Sequence, residues 1–334
     1  MKHEMISKER IMTALLGKEL PDRVPWFEME IALEFQEKLM GKKSYTPEEF
    51  ALKMGVDAIG STLPCVELNF FPPTLAPKLT YNGTSTHGEG ILKSRDYLHL
   101  LQLPDPAAAF KYLQIKEWLN STSRDLAVYA KLRFGCITTI LSMGLENFAL
   151  ALHYDISFIE EVFYKYSSWC EKIIDIINEL PFDFYIVAED LGFSKGPFMS
   201  PGTFKKIFLP AFSRLAGKLN KPWVLHSDGN ILPLLDDLLT LGFSGLHPID
   251  PSCMDLAFMK KKYGTEICLI GNVDIRHTLT SGTMEEVEKE VYEKITLAAP
   301  GGRYILSSAN SITNYCKLEN VLAMGQAVKK YGKY

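Results

Sequence analysis

Five short apolar segments in the second half of the chain each end in polar residues, and a longer segment of helical periodicity follows each of them. The polar ends lie 22 to 38 residues apart, which leaves room for a strand, a helix and two loops. The polar residues at these ends are Glu189, Asp190, His226, Asp228, His247, Asp250, Asn272, Asp274, Ser308 and Asn310. This repetition predicts a parallel sheet built from consecutive β/α units.

The first half of the chain supplies three further predicted strands, at 22–30, 56–62 and 126–134. Three and five make eight, the number that closes a β/α barrel, so the predicted fold is an α/β, (β/α)8 TIM-type barrel. The segment 63–110 is rich in turn-forming proline and glycine and is expected to be an insertion after the second strand. We expect residues 1–334 to form a single barrel domain. An open doubly wound sheet is the alternative, but no glycine-rich phosphate loop follows any predicted strand.

The composition excludes several classes of protein. The chain has 334 residues, of which 47% are hydrophobic and 23% charged, as in ordinary globular proteins. The net charge is −4 and no basic run stands out, which argues against nucleic acid or a membrane surface as a partner. Neither a spanning apolar stretch nor a signal-peptide pattern is found. Six scattered cysteines without a CxxC pair indicate reduced thiols, so we expect a cytoplasmic protein.

The polar strand ends are the candidate site. A β/α barrel carries its reactive groups at the carboxyl ends of its strands, where the loops surround an open mouth. Glu28 and Glu30, at the end of the first predicted strand, join the ten residues named above. Burying so many ionisable groups without partners would be costly, so we expect them to surround a solvent-reachable hollow.

His226-Ser227-Asp228 is the most informative of these elements. Residues two apart on a strand point to the same side, so the imidazole of His226 and the carboxylate of Asp228 can converge on one ligand. That ligand could be zinc, which accepts histidine nitrogen and carboxylate oxygen. The alternative is structural, with Asp228 orienting His226 or capping the helix that follows.

Two other strand ends have a functional and a structural interpretation. Glu189 and Asp190 are adjacent and face opposite sides of their strand, so one of them points into the mouth as a metal ligand, a general base or a substrate contact. The alternative is a helix cap or a salt bridge with Lys195. His247, before Pro248, is either a functional residue or a satisfied histidine of the core.

Longer stretches of the chain resemble the uroporphyrinogen decarboxylase superfamily. The resemblance covers nearly the whole sequence and is strongest in SKERIMTALLGKELPDRVPW, EDLGFSKGPFMSPGTFKKIFLP, VLHSDGN, CLIGNVD and APGGRYILSSANSITNYCKLENVLAM. It implies a β/α barrel, in agreement with the strand count. It also implies either porphyrinogen decarboxylation or methyl exchange with the corrinoid of a separate protein.

Departures from the decarboxylase pattern favour the second branch. The arginine-containing RPPVWxMRQAGR stretch is replaced by RVPWFEMEIALEF, which brings Glu28 and Glu30 instead of arginines. GSTLP, at 60–64, stands where the decarboxylases have the catalytic aspartate of FSDIL, and ANSI, at 309–312, replaces GHGI. A substrate with many carboxylates needs cationic contacts, and this mouth is acidic.

The methyltransferase branch holds zinc with an HxC pair and a later cysteine. The matching residues here are His226 and Asp228, with Asn310 in place of the late cysteine. This set lacks thiolates and is harder, so zinc at His226 and Asp228 is a hypothesis and activation of a thiol is not favoured. The corrinoid-binding signature DxHxxG is also absent, so a corrinoid would arrive on a partner protein.

The resulting hypothesis is a corrinoid-dependent methyltransferase of the uroporphyrinogen decarboxylase type. It exchanges a methyl group between a small methylated compound, such as a methoxylated aromatic, and the cobalt of a corrinoid protein. The expected catalytic residues are His226, Asp228 and Asp190, and the expected substrate contacts are Glu28, Glu189, His247, Asn272, Ser308 and Asn310. The alternative is a decarboxylase or lyase of a non-porphyrin substrate, which would need Arg133 or Arg276 in the mouth.

Overall fold

The computed structural model describes residues 4–60, 66–81, 84–122 and 125–334. Its strands are β1 (Ala58–Gly60), β2 (Asn69–Phe70), β3 (Lys78–Tyr81), β4 (Thr84–His87), β5 (Ala127–Leu132), β6 (Phe184–Ala188), β7 (Gly192–Phe193), β8 (Gly196–Pro197), β9 (Trp223–His226), β10 (Gly245–His247), β11 (Cys268–Ile270) and β12 (Tyr304–Ile305). The main sheet is parallel and runs in the order β1-β5-β6-β9-β10-β11-β12, with β2 also pairing with β5.

The segment 24–27 closes this sheet into a barrel. Trp26 forms a parallel bridge with Leu306 on one side, and its carbonyl accepts the Asp57 N–H at 2.8 Å on the other. The segment therefore lies between β12 and β1 as the eighth strand position. The predicted eight-stranded TIM-type barrel is confirmed, and each of the eight predicted strand regions contains one of its strand positions.

Helices connect the strands and cover the outside of the sheet. They are α1 (Ser7–Leu16), α2 (Leu33–Met40), α3 (Pro47–Met54), α4 (Tyr112–Ser121), α5 (Cys136–Met143), α6 (Leu145–Tyr154), α7 (Ile156–Ile177), α8 (Pro201–Thr203), α9 (Leu209–Ala216), α10 (Leu232–Leu239), α11 (Leu256–Tyr263), α12 (Met284–Ala298) and α13 (Leu318–Tyr331). Short 3₁₀ turns at Arg95–Leu100 and Pro106–Ala108 and a π-turn at Phe204–Phe208 complete the helical segments.

Apolar residues form two cores, one on each face of the sheet. The inner core fills the barrel and includes Phe27, Tyr129, Phe184, Ile186, Val224, Ile270 and Ile305. Ile11, Ala14 and Leu15 of α1 belong to the same cluster, so this helix covers the amino-terminal end of the barrel. The larger outer core packs the helices against the sheet. Successive residues of a strand point alternately to the inner and the outer core. Only the strand-end residues on the inner side can therefore reach the mouth of the barrel.

Asp57 fixes the first strand position at the closed end of the barrel. Its buried carboxylate accepts from Arg10 at 2.6 Å, from Arg23 at 2.9 Å and from the backbone N–H of Trp26 at 2.8 Å. A buried carboxylate is tolerated when each of its oxygens is paired in this way. The cluster therefore joins α1, the segment 24–27 and β1 beneath the site.

The segment expected as an insertion carries β2, the antiparallel hairpin β3–β4 and the two 3₁₀ turns. Its status as an insertion, and the single-domain organisation, remain predictions. Of the GSTLP motif, residues 61–64 lie outside the described residues. Cys136, Cys170, Cys253, Cys268 and Cys316 are free thiols, as the spacing predicted.

Within the described residues, no single helix has the length and apolar character needed to cross a membrane. The bent pair formed by Cys136–Met143 and Leu145–Tyr154, with 101° between its helices, passes such a test only on length and composition.

Candidate functional site

Three predicted residues converge at the open end of the barrel. His226 ends β9 and is buried, with Nε2 3.5 Å from Asp190 Oδ1 and 3.9 Å from Asp228 Oδ1. The two carboxylates are partly exposed. One ligand atom from each of the three side chains lies within 4.8 Å of the others. The three residues named as catalytic therefore form one group.

Strand parity explains why these residues meet. Ile186 and Val224 point into the inner core, so Asp190, four residues after Ile186, and His226, two residues after Val224, also point inward. Asp228 follows on the same side. Glu189 lies between inward positions and faces the helices. The expectation that only one of the two adjacent carboxylates enters the mouth is thus met by Asp190.

Asn310 links the last strand to this group. Its side-chain Nδ2 donates to Asp228 Oδ2 at 2.5 Å, and the Asp228 N–H donates to Asp190 Oδ1 at 3.1 Å. Burial raises the pKa of Asp228 to about 6; the charge of Asp190 also raises it, while His226 and the Asn310 hydrogen bond oppose the rise. Asp228 is therefore mainly ionised at pH 7 but takes up a proton under mildly acidic conditions.

His247 supports His226 from the neighbouring strand. The two histidines are register partners in β9 and β10, and their Nδ1 atoms are 2.8 Å apart. The His247 Nε2 lies 3.3 Å from Ser307 Oγ, and the ring is fully buried. Burial lowers the pKa of His247 well below 6.5, so this ring is neutral at pH 7. His247 thus lies behind His226, outside the described lining of the hollow, and its predicted contact with substrate stays a prediction.

Glu189, which was also predicted to contact substrate, is bound to the backbone of the loop after β5. Its carboxylate is inaccessible to solvent and accepts the backbone N–H groups of Phe134, Gly135 and Ile137 at 2.5, 2.7 and 2.7 Å. These amides lead into the first turn of α5, where a negative charge is favourable. Glu189 therefore holds the loop after β5, and its predicted contact with substrate stays a prediction.

Glu28 and Ser308, predicted as substrate contacts, bond to each other beneath the helices. Phe27 and Met29 point into the barrel, so Glu28 between them faces outward. Its carboxylate accepts from Ser308 Oγ at 2.6 Å, from the Ser308 N–H at 3.0 Å and from Trp26 Nε1 at 2.8 Å. Both residues are buried away from the mouth.

Asn272 is the fifth predicted substrate contact that the structure does not bring to the mouth. It is buried, its Nδ2 donates to the Ile249 carbonyl, and its Oδ1 accepts from Lys294 Nζ at 2.9 Å. Both ends of its amide are thus used by neighbouring segments. Of the six predicted substrate contacts, Asn310 remains at the mouth.

Glu28 is expected to make folding stability depend on pH. Burial raises the pKa of Glu28 to about 7. Hydrogen bonds from Ser308 and Trp26 lower it, but by less than burial raises it. The folded state then binds this proton more tightly than the unfolded state, so the free energy of unfolding falls as pH rises from about 4.5 to 7. Glu28→Gln should reduce that fall by about 1–3 kcal/mol in urea unfolding at several pH values. Parallel curves for the two proteins would contradict this assignment.

A hollow of about 480 Å³ opens beside the group, at the carboxyl ends of the strands. It is lined by Gly192, Phe193, Ser194, Asp228, Gly229, Asp250, Pro251, Ser252, Asp274, Ile275, Arg276, Ala309 and Asn310. Three carboxylates, from Asp228, Asp250 and Asp274, face one arginine among these described lining residues, so the hollow is acidic as predicted. The sequence singled out Asp250 and Asp274 by their position at strand ends, without assigning them a role.

An aromatic hairpin forms one side of the hollow. Phe193 belongs to the β7–β8 hairpin, is 47% exposed and stacks on Phe198 with ring centroids 5.8 Å apart. Gly229, with φ of +78°, lies so close that a Cβ there would be 2.6 Å from the Phe193 nitrogen. The HSDG turn thus requires glycine at this position to admit the hairpin. Phe193 is the aromatic side chain among the described lining residues.

The group of Asp190, His226 and Asp228 is chemically suited to a divalent cation. It offers one imidazole nitrogen and two carboxylate oxygens, which zinc accepts, and the His226 Nδ1 is already held by His247. The set contains no thiolate, as the sequence predicted, so it favours harder cations than a cysteine-rich site does. The same three residues can instead hold a proton on His226 between two carboxylates.

Comparison of the sequence with known proteins identifies the family of the chain. Residues 137–331 match the family model described as uroporphyrinogen decarboxylase (URO-D). The methylcobamide:CoM methyltransferase MtaA of Methanosarcina barkeri is 29% identical over 133 residues, which are 40% of this chain and 38% of that protein. A methylated-thiol–coenzyme M methyltransferase of Methanosarcina mazei is 26% identical over 132 residues, 40% of this chain and 34% of that protein. The matches thus span less than two fifths of these curated relatives.

A solved structure extends the likeness of the fold to nearly the whole chain. It is a methyltransferase from Methanosarcina mazei with a TM-score of 0.72 and 20% sequence identity, and the superposition covers 98% of this chain and 99% of that one. The predicted resemblance to the cobamide-dependent methyltransferase branch is confirmed by the relatives that match. Since the family model covers more than half of the sequence, the chain belongs to the uroporphyrinogen decarboxylase family.

Proposed function

We propose that the protein is a methyltransferase that exchanges a methyl group between a small methylated compound and the cobalt of a separate corrinoid protein. The observation that carries the proposal is the convergence of Asp190, His226 and Asp228 beside an open hollow. The names of the matching relatives, which are cobamide- and coenzyme M-dependent methyltransferases, support it. The corrinoid partner would approach the hollow from solvent, and a cytoplasmic location remains a prediction from the sequence.

His226 is the proposed proton donor to the atom that loses the methyl group. An ether or amine is a poor leaving group unless that atom is protonated or otherwise neutralised. His226 Nε2 lies 3.5 Å from Asp190 Oδ1 and 3.9 Å from Asp228 Oδ1, at the edge of the hollow where the substrate would lie. The corrinoid, when bound, supplies the cobalt centre that accepts or donates the methyl group.

The hollow is suited to a methylated compound with an aromatic body. Phe193 presents an exposed ring to it, and Phe198 supports that ring from behind by stacking. An aromatic ring of the substrate could pack on Phe193 in the same manner. Methoxylated aromatics are therefore the proposed substrate class, with Asn310 and Ser252 as polar contacts at the rim.

Zinc is the proposed alternative to a proton on His226, because the Nε2 atom cannot hold both. The ligands would be His226, Asp190 and Asp228, and the ion would supply a Lewis acid for the leaving atom. Titration with Zn²⁺ should reach about one ion per chain, more weakly than at a thiolate site. His226→Ala should abolish binding, whereas His153→Ala, at an exposed histidine of α6, should leave it unchanged. An unchanged stoichiometry in His226→Ala would place the ion elsewhere.

The acidic lining does not favour the alternative, decarboxylation of a carboxylated substrate in this hollow. Asp228, Asp250 and Asp274 would repel a substrate carboxylate, and Arg276 alone among the described lining residues would attract it. Arg133, the other arginine considered for the mouth, lines a different cavity.

The direct test of methyl transfer uses the purified protein with a corrinoid protein reduced to the cob(I)alamin state. Methoxyphenols, methylamines and methylated thiols are supplied in turn, and the conversion of cob(I)alamin to methylcob(III)alamin is followed by absorbance. We expect formation of methylcob(III)alamin with methoxyphenols. If no methylated donor gives it in either direction, and carbon dioxide is released from a carboxylated compound instead, the proposal is wrong.

A further inference from the structure

A second cavity, of about 420 Å³, lies next to the end of β5 and apart from the acidic hollow. It is formed by the segment from β2 to the β3–β4 hairpin together with Phe110 and Arg133. The described residues that line it share none with the lining of the acidic hollow. It therefore forms a separate concave site on the same protein.

Arg133 provides the main positive charge of this cavity. Its guanidinium lies over the Phe71 ring, 4.2 Å from the centroid, and its Nη1 makes a long 3.3 Å hydrogen bond to Thr138 Oγ1. Its Nε is buried and has no hydrogen-bond partner among the described residues. Buried N–H donors in folded proteins are nearly always paired, so the unpaired Nε indicates a missing acceptor beside a guanidinium whose charge is otherwise balanced by Glu189, Asp190 and Glu30.

His87, the last residue of β4, is a second lining residue with an unpaired buried nitrogen. Its buried Nδ1 also lacks a partner among the described residues. Burial lowers the pKa of His87, and the positive charges of Arg133 and Lys78 lower it further, so the ring is neutral and can donate or accept. Lys78 is exposed and lines the same cavity. Glu67, the acidic side chain in the described lining, already accepts the Asn69 N–H at 3.0 Å.

The remaining walls are apolar. Phe71, Phe110, Pro72, Pro73 and Ala76 contribute most of them, and Phe110 is held by an edge-to-face contact with Phe70 at 5.0 Å. A strongly hydrated inorganic anion would gain little from such walls, whereas an aromatic or other flat apolar group would bury surface against them.

We propose that this cavity is a binding site for a small organic anion that has an aromatic or similarly apolar body. The anionic group interacts with the Arg133 guanidinium and the His87 ring, with Lys78 at the rim, and the apolar body packs between Phe71 and Phe110. The proposal goes beyond methyl transfer, because the lining of this cavity shares no described residue with the acidic hollow, and Arg133 meets the catalytic group only through its charge interaction with Asp190.

Calorimetric titration of the whole chain with benzoate tests the proposal, with benzamide as the neutral probe of the same shape and inorganic phosphate as the anion without an apolar body. We expect benzoate to bind about tenfold or more tightly than either. Arg133→Gln should weaken benzoate binding by about tenfold or more, while Arg214→Gln, at a surface arginine of α9, should not change it. Lys78→Gln, at an exposed strand residue, should weaken it severalfold without affecting folding.

Several results would overturn the proposal. Equal affinity for benzamide would show that the charge is not recognised, and equal affinity for phosphate would show that the apolar walls are not used. Loss of benzoate binding in Arg276→Gln, with Arg133→Gln and Lys78→Gln unaffected, would place the anion in the acidic hollow. Circular dichroism and the thermal midpoint of each variant identify any that fail to fold, and the exposed Lys78→Gln then decides the outcome.

Discussion

His226→Ala is expected to lower the rate of methyl transfer by about 10²–10⁴-fold, the usual contribution of a positioned proton donor. The imidazole is placed between the Asp190 and Asp228 carboxylates, with Nε2 3.5 and 3.9 Å from their oxygens. The measurement is the rate of methylcob(III)alamin formation with the best donor, under single-turnover conditions that separate chemistry from binding.

The control for this variant is His153→Ala, which removes an exposed histidine from α6 and should keep the rate of the parent protein. Asp228→Asn keeps the size of the side chain but removes a carboxylate 3.9 Å from His226 Nε2, so the rate should fall, and any dependence of the rate on the Asp228 pKa of about 6 should disappear. If His226→Ala retains most of the rate and still unfolds cooperatively, the proton must come from another group and the proposed role of His226 is wrong.

Glu189→Ala should lower the free energy of unfolding by about 3–5 kcal/mol, which is at the upper end for a single substitution. The reason is that three buried backbone N–H groups, those of Phe134, Gly135 and Ile137, lose their acceptor at once. Glu189→Gln should be intermediate, because one amide oxygen replaces two carboxylate oxygens and the new NH₂ group faces other donors. Urea denaturation followed by circular dichroism gives the comparison.

A matched control is Glu293→Ala on α12, where the exposed glutamate makes a long 4.0 Å ion pair with Lys289. Its effect on stability should stay within about 0.5 kcal/mol. A loss below about 1 kcal/mol for Glu189→Ala would mean that water replaces the carboxylate, which would contradict the closed environment of this residue.

The barrel could be predicted from the sequence because its strands are marked by apolar runs of limited length with polar ends. The convergence of His226 with Asp228, and the inward direction of one of the residues 189 and 190, follow from alternation along a strand. These are local properties of the sequence. They identified a strand position even at 24–27, where the pairing with the neighbouring strand is a single bridge.

The supporting contacts could not be predicted because they join residues far apart in the chain. Glu189 meets backbone groups 52 to 55 residues away, and Glu28 meets Ser308 at a separation of 280 residues. Both carboxylates lie at strand ends, as Asp190 does. They face away from the mouth because each occupies an outward-facing position in the alternation along its strand. The pairing of His226 with His247 had a readable signal, since each is the last residue of neighbouring strands.

The hydrogen bond between the two imidazoles fixes which of their nitrogens carry protons. When His226 is cationic, its Nδ1–H points at the His247 Nδ1, and the single ring proton of His247 lies on Nε2, toward Ser307. When His226 binds a cation through Nε2, the same arrangement of protons is needed on both rings. A proton and the proposed metal ion would therefore exchange places on His226 without moving the proton of the buried ring behind it.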